Sequence, residues 1–139
     1  MHTVVWITES SWEDCVDAVP ADADVTLLHV AAGDVEALLG ARRLGHHRRP
    51  PPGPQPREIS DEAAQALLAD AAERLGRPAR TEARRGRVEH EVIAALEGAD
   101  LLVLARDGER RPGPKSLGPR TRFVVDHAPC RVLLVWPEP

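Results

Sequence analysis

The chain has no tyrosine, one phenylalanine and three tryptophans, so aromatic residues make up only 3% of its 139 positions. A core with so few rings must be built from Val, Leu, Ile and Ala, the side chains that fill parallel strands covered by helices. Lysine is equally scarce. Lys115 is the only one among 18 basic residues, and a net charge of −4 argues against bulk electrostatic binding of nucleic acid. No apolar run reaches the roughly 18 residues of a membrane-spanning helix. The start Met1-His2-Thr3-Val4 has neither a basic n-region nor a small-residue cleavage site, and a cytoplasmic protein is expected. Cys15 and Cys130, far apart in a chain without an export signal, read as reduced core residues rather than as a disulfide. There is no Gly-x-Ser-x-Gly elbow, no Walker loop and no Cys/His spacing of zinc type, so no enzyme activity is expected.

What is present is an alternation of short apolar runs and amphipathic stretches, on a scale that supports one domain over residues 1–139. Thr3 to Thr8 predicts a first strand. Ser10 or Ser11 then caps a short helix, with Trp12, Cys15, Val16 and Val19 at helical spacing and Pro20 at its end. Val25 to Val30 is the second strand, and Val35, Leu38 and Leu39 outline a short helix between Gly33 and Leu44. From Arg48 to Pro56 each proline removes an amide donor and restricts the residue before it. An extended or disordered Arg/Pro-rich loop is therefore expected over about residues 42–58.

Ser60-Asp61-Glu62 supplies an N-cap and an acidic first turn for a helix that buries Ala64, Leu67, Leu68, Ala71 and Leu75 and stops at Gly76. Thr81 to Arg85 is a weak strand suited to an edge. Val88, Val92, Ile93 and Leu96 set the next helix, Leu101 to Leu104 reads as a strand buried on both faces, and a helix from about Gly118 to His127 precedes the last strand, Arg131 to Trp136. Such alternation implies parallel strands joined by right-handed crossovers, an α/β fold with one open, doubly wound sheet of five strands.

The loop between the last two strands is rich in glycine and arginine. Gly108, Gly113 and Gly118 let the backbone turn back and approach a ligand, and a helix starting near Gly118 points its free amides at the same space, which favours an anion. Leu101 to Pro137, together with Val25-Thr26-Leu27-Leu28-His29-Val30, resembles the universal stress protein family. That family's nucleotide loop reads Gly-x2-Gly-x9-Gly-Ser/Thr, and this chain reads Ala105-x2-Gly108-x9-Gly118-Pro119. His127-Ala128-Pro129-Cys130 before a short apolar strand is also similar to the family's C-terminal end.

The resemblance implies strand order 3-2-1-4-5 and a nucleotide crevice between strands one and four. It places Thr8 where relatives carry a base-binding aspartate, Val30 beside adenine and ribose, and Ala105, Arg106, Gly108, Gly118, Pro119, Arg120 and Thr121 around the phosphates. ATP or another adenine nucleotide is the implied cofactor, any hydrolysis being slow and incidental. Arg110, Arg111, Lys115 and Arg122 add positive charge around the loop, whereas Asp107 and Glu109 oppose an anion unless they hold Mg²⁺. The pair Gly118-Pro119 is accounted for equally well as a plain helix start, since proline suits the first helical position.

Two functions follow from these residues. One is a regulatory module that binds an adenine nucleotide and signals its presence to a protein partner. The other, motivated by Thr8, Ala105 and Pro119, is a nucleotide-free scaffold that dimerises through the C-terminal strand 131–136, as the resemblance to dimeric relatives implies. A docking role for Arg42 to Arg57 toward an acidic partner or nucleic acid is the weaker third reading. His46-His47 make a poor metal site in such a loop, and His29, His90 and His127 read as packing or surface residues.

Overall fold

The computed structural model describes residues 1–33, 56–107 and 116–137. Strands β1 (His2–Trp6), β2 (Asp24–Ala32), β3 (Arg80–Gly86), β4 (Leu101–Ala105) and β5 (Arg131–Val135) alternate with helices α1 (Trp12–Asp17), α2 (Pro56–Leu75), α3 (Val88–Ala95) and α4 (Pro119–His127). The strands form one parallel sheet in the order β3-β2-β1-β4-β5, the fold and order expected.

Successive residues of a strand point to opposite faces, so each apolar run divides itself between two layers. Val5, Ile7, Leu27, Leu101 and Val103 pack on one side with Cys15 and Val16 of α1 and Leu68 and Ala71 of α2. Val4, Trp6, Leu28, Val30, Leu102 and Leu104 pack on the other, against Val88 and Val92 of α3 and Val124 of α4. The central strands β1 and β4 run in register at Thr3–Leu101, Val4–Leu102 and Val5–Val103. Both faces there are covered, which is why their residues are apolar at consecutive positions. Each fully buried Val or Leu contributes roughly 1.5–3 kcal/mol by leaving water. The mostly polar β3 lies at an edge, as its composition predicts.

One helix boundary and one helix cap depart from expectation. α2 begins at Pro56, not at Ser60, so the presumed cap and residues 56–58 of the expected loop lie inside the helix. A proline in the first turn forfeits an amide that would have had no intrahelical partner. Ser11 does precede α1, but its hydroxyl meets the Thr8 hydroxyl at 2.9 Å and caps no amide. The rest of the expected Arg/Pro-rich loop, with His46 and His47, and the helix expected after Gly33 lie outside the described residues. Gly76, at φ 73°, ends α2.

Two contacts fix the sheet's surroundings. Arg74 of α2 forks onto Asp17 of α1, Nε to Oδ1 at 2.9 Å and an Nη to Oδ2 at 2.7 Å, and this hydrogen-bonded pairing holds the Asp17 carboxyl below its ordinary value. Beyond the β2–β3 pairing, Gly33 N–H donates to the Gly86 carbonyl at 2.9 Å. A Cβ on Gly33 would fall 2.8 Å from the Gly86 Cα, so this approach of two backbones requires glycine.

Candidate functional site

Because β1 lies between β2 and β4, the loops leaving β1 and β4 part company and open a crevice at the carboxyl ends of the strands. A cleft of about 490 Å³ occupies this place, within the range of about 300–1,000 Å³ common for small-molecule sites. Thr8 to Ser11 line it after β1, His29, Val30 and Ala32 at the end of β2, and Leu104 to Asp107 at the end of β4, with Val88, Arg120 and Thr121 from the helices.

At one end of the cleft, the chain turns sharply after β1. The Thr8 carbonyl accepts from Ser11 N–H at 3.4 Å and Trp12 N–H at 3.1 Å, and the Thr8 hydroxyl pairs with Ser11. Where the resemblance leads one to expect a base-binding aspartate, Thr8 supplies a hydroxyl tied into its own turn. Val30 is buried at the β2 end. Half-buried His29 has its pKa lowered by burial, against the opposing pull of the Glu9 charge, and its Nδ1 is enclosed without a hydrogen-bond partner.

The other end is tightly tied. Arg106 N–H donates to the Val135 carbonyl at 2.8 Å and Asp107 N–H to the Ser116 carbonyl at 2.9 Å, which draws the exit of β4 against the approach to α4. The Asp107 carboxylate then spans the start of α4. Its Oδ1 accepts from Gly118 N–H at 2.7 Å and its Oδ2 from the Thr121 hydroxyl at 2.9 Å. Gly118 is the N-cap residue, with no side chain to cap the helix, and Pro119 follows in the first turn without an amide donor. The acidic group that favours a helix N-terminus is supplied from a distant loop position.

Two described cations at this end have partners as well. Arg106 donates to the Ser116 hydroxyl and lies over the Trp136 ring, 4.9 Å from its centroid, while Arg120 Nε stands 3.8 Å from Glu89 Oε2. Among the described residues, no three His, Cys, Asp or Glu side chains gather to hold a metal ion. Glu109, the second carboxylate considered for Mg²⁺, lies outside them.

Of the residues singled out from sequence, Thr8, Val30, Ala105, Arg106, Arg120 and Thr121 line one cleft. Gly118 and Pro119 stand at the helix start beside Thr121, and Ala105 closes β4 in extended conformation opposite Val135. Gly108, Arg110, Arg111 and Lys115 lie outside the described residues. The sequence presents Asp107 as an obstacle to an anion or a ligand for Mg²⁺, and not as the cap of α4. The available signal was a glycine N-cap followed by proline, a helix start in need of an acceptor from elsewhere. His29, expected as a packing or surface residue, is half-buried and borders the cleft.

The sequence profile of the universal stress protein family matches residues 15–135. No curated protein matches the chain. Among solved structures, universal stress protein UspA from Lactobacillus plantarum is similar at 21% identity and TM-score 0.61, with 96% of each chain covered. A universal stress protein solved in complex with cAMP shares 16% identity at TM-score 0.65, covering 99% of this chain and 97% of that one. A universal stress protein from Archaeoglobus fulgidus shares 17% identity at TM-score 0.63, covering 97% and 98%. With the sheet order, the crevice and the family profile in agreement, the chain belongs to the universal stress protein family.

Proposed function

We propose that the crevice binds an adenine nucleotide and that the module, working in the cytoplasm, reports its occupancy to a protein partner rather than catalysing a reaction. The observation that carries this reading is the cleft of about 490 Å³ between the ends of β1 and β4, walled by Thr8 and Val30 on one side and Ala105, Arg106, Arg120 and Thr121 on the other. The relative solved with cAMP supports an adenine-bearing ligand as the class. Mg²⁺ enters this reading only as the companion of a bound ATP. Native mass spectrometry of the full chain, with and without added ATP and Mg²⁺, should show protein carrying the mass of an adenine nucleotide. Ser10→Trp places an indole at the exposed rim of the cleft without touching the core and should abolish that adduct. Adduct formation that survives Ser10→Trp would put the ligand elsewhere.

A second reading, a nucleotide-free dimeric scaffold, is favoured by β5. This edge strand has a single described neighbour, β4, and leaves Leu133 38% exposed. A second copy pairing there would cover an apolar edge. Light scattering should find a dimer for the unmodified chain and a monomer for Leu133→Glu; an unchanged dimer would move the interface away from β5.

A further inference from the structure

We propose that Asp107 sets the specificity of the crevice: its carboxylate fills the place a ligand phosphate would take at the start of α4, so the cleft prefers an uncharged purine nucleoside to the corresponding nucleotides. The proposal rests on the reading of the crevice as an adenine site and refines the ligand class.

An incoming phosphate needs hydrogen-bond donors and positive charge. At the start of α4 the Gly118 amide and the Thr121 hydroxyl are both given to Asp107, at 2.7 and 2.9 Å, which leaves an incoming anion only the Arg120 and Thr121 amides of the first turn. Pro119 has no amide to offer in their place. Of the described cations that line the cleft, Arg106 lies between the Ser116 hydroxyl and the Trp136 ring, and Arg120 faces Glu89. A phosphate would have to expel a carboxylate that already caps the helix at Gly118, or remain beside that like charge in a partly enclosed cleft.

The retained glycine agrees with this assignment. A Cβ built on Gly118 would lie 2.8 Å from Asp107 Oδ2, and its other near neighbours are also atoms of the Asp107 side chain. The absent side chain makes room for the protein's own anion. A spacing kept at this position therefore needs no phosphate to explain it. At the opposite end, Val30 offers apolar surface, Thr8 a hydroxyl and Glu9 a carboxylate acceptor, a lining that suits a base and the hydroxyls of a ribose.

The test is equilibrium binding of adenosine, AMP and ATP with Mg²⁺ to the full chain and to Asp107→Asn and Asp107→Ser. Asparagine keeps an acceptor for the Gly118 amide and removes the charge. The unmodified chain should bind adenosine about tenfold or more tightly than ATP. Either variant should raise ATP affinity by about tenfold or more while changing adenosine affinity by less than about threefold. ATP binding to the unmodified chain as tightly as adenosine overturns the proposal and leaves the adenine reading standing. Failure of every adenine ligand to bind the unmodified chain and both variants overturns the two together. ATP binding that appears only in the variants, with adenosine bound by all three proteins, supports the proposal; ATP binding in the variants without adenosine binding to the unmodified chain overturns it. If neither variant folds, the adenosine-to-ATP ratio of the unmodified chain decides alone.

Discussion

Replacing Gly118 by alanine isolates the contact that organises the phosphate end of the crevice. At φ −71° and ψ 173° the position is one that any L-residue adopts, so the backbone carries no penalty. The cost arises from the new methyl group, 2.8 Å from Asp107 Oδ2. A carboxylate on a short side chain can rotate away, and the penalty is then the loss of its bonds to the Gly118 amide and the buried Thr121 hydroxyl. Hydrogen bonds to charged groups contribute about 1.5–3 kcal/mol, and losing an N-cap about 0.5–2. Because the Gly118 bond is exposed to solvent, the lower part of these ranges applies and the total is about 2 kcal/mol. For a chain of this length that lowers Tm by roughly 5–10 °C. The assay is urea denaturation of four proteins: the unmodified chain, Gly118→Ala, Asp107→Ala and the double variant. The three atoms nearest the added Cβ all belong to the Asp107 side chain, so Gly118→Ala should cost less than about 0.5 kcal/mol once Asp107 is alanine, a coupling of about 1.5 kcal/mol. Additive effects, within about 0.5 kcal/mol, would refute the account of Asp107 as the cap of α4.

Three further outcomes are expected. Gly33→Ala drives a Cβ onto the Gly86 backbone at 2.8 Å, where no side chain can swing aside, and should destabilise by about 1–3 kcal/mol in the same denaturation assay. His29, its pKa lowered by burial, takes up a proton at a lower pH in the fold than in the unfolded chain, which does so near pH 6.5. Its contribution is therefore present above that pH and lost as the pH falls. Melting curves from pH 7.5 to 5 should decline less steeply for His29→Gln, whereas the Asp17–Arg74 pair acts only at lower pH, where carboxylates titrate; equal slopes would remove His29 from the explanation. Burial, helped by the Asp14 charge, pushes the Cys15 thiol up to about 12 from an ordinary 9.0, so stability is intact below pH 9 and erodes as the pH rises toward 12. A thiol reagent at pH 8 should label partly exposed Cys130 first and reach Cys15 only through unfolding.

The fold was legible because its signals are local. Consecutive apolar residues at Val4 to Ile7 and Leu101 to Leu104 announce strands covered on both faces, and the alternation of strand and helix leaves few topologies open. Most of the proposed cleft lining was legible by resemblance, since Thr8 and Ala105 follow or close recognisable strands. The start of α2 was missed because proline-rich sequence reads as helix-breaking, although Pro56 opens the helix. The role of Asp107 was hidden for a different reason. Its partners lie 11 and 14 positions onward, and only a turn that folds the exit of β4 back onto α4 brings them together.

The same clamp separates the loop's length from the stability of the sheet. Asp107 N–H meets the Ser116 carbonyl at 2.9 Å, and the Asp107 carboxylate holds Gly118 and Thr121, so the chain is fastened on both sides of residues 108–115. Closure at that point is already secured, and doubling the intervening length would cost only about 0.6 kcal/mol in chain entropy. Sequence inserted between Asp107 and Ser116, such as a tag or a fluorophore-bearing peptide, should therefore leave the five strands in register.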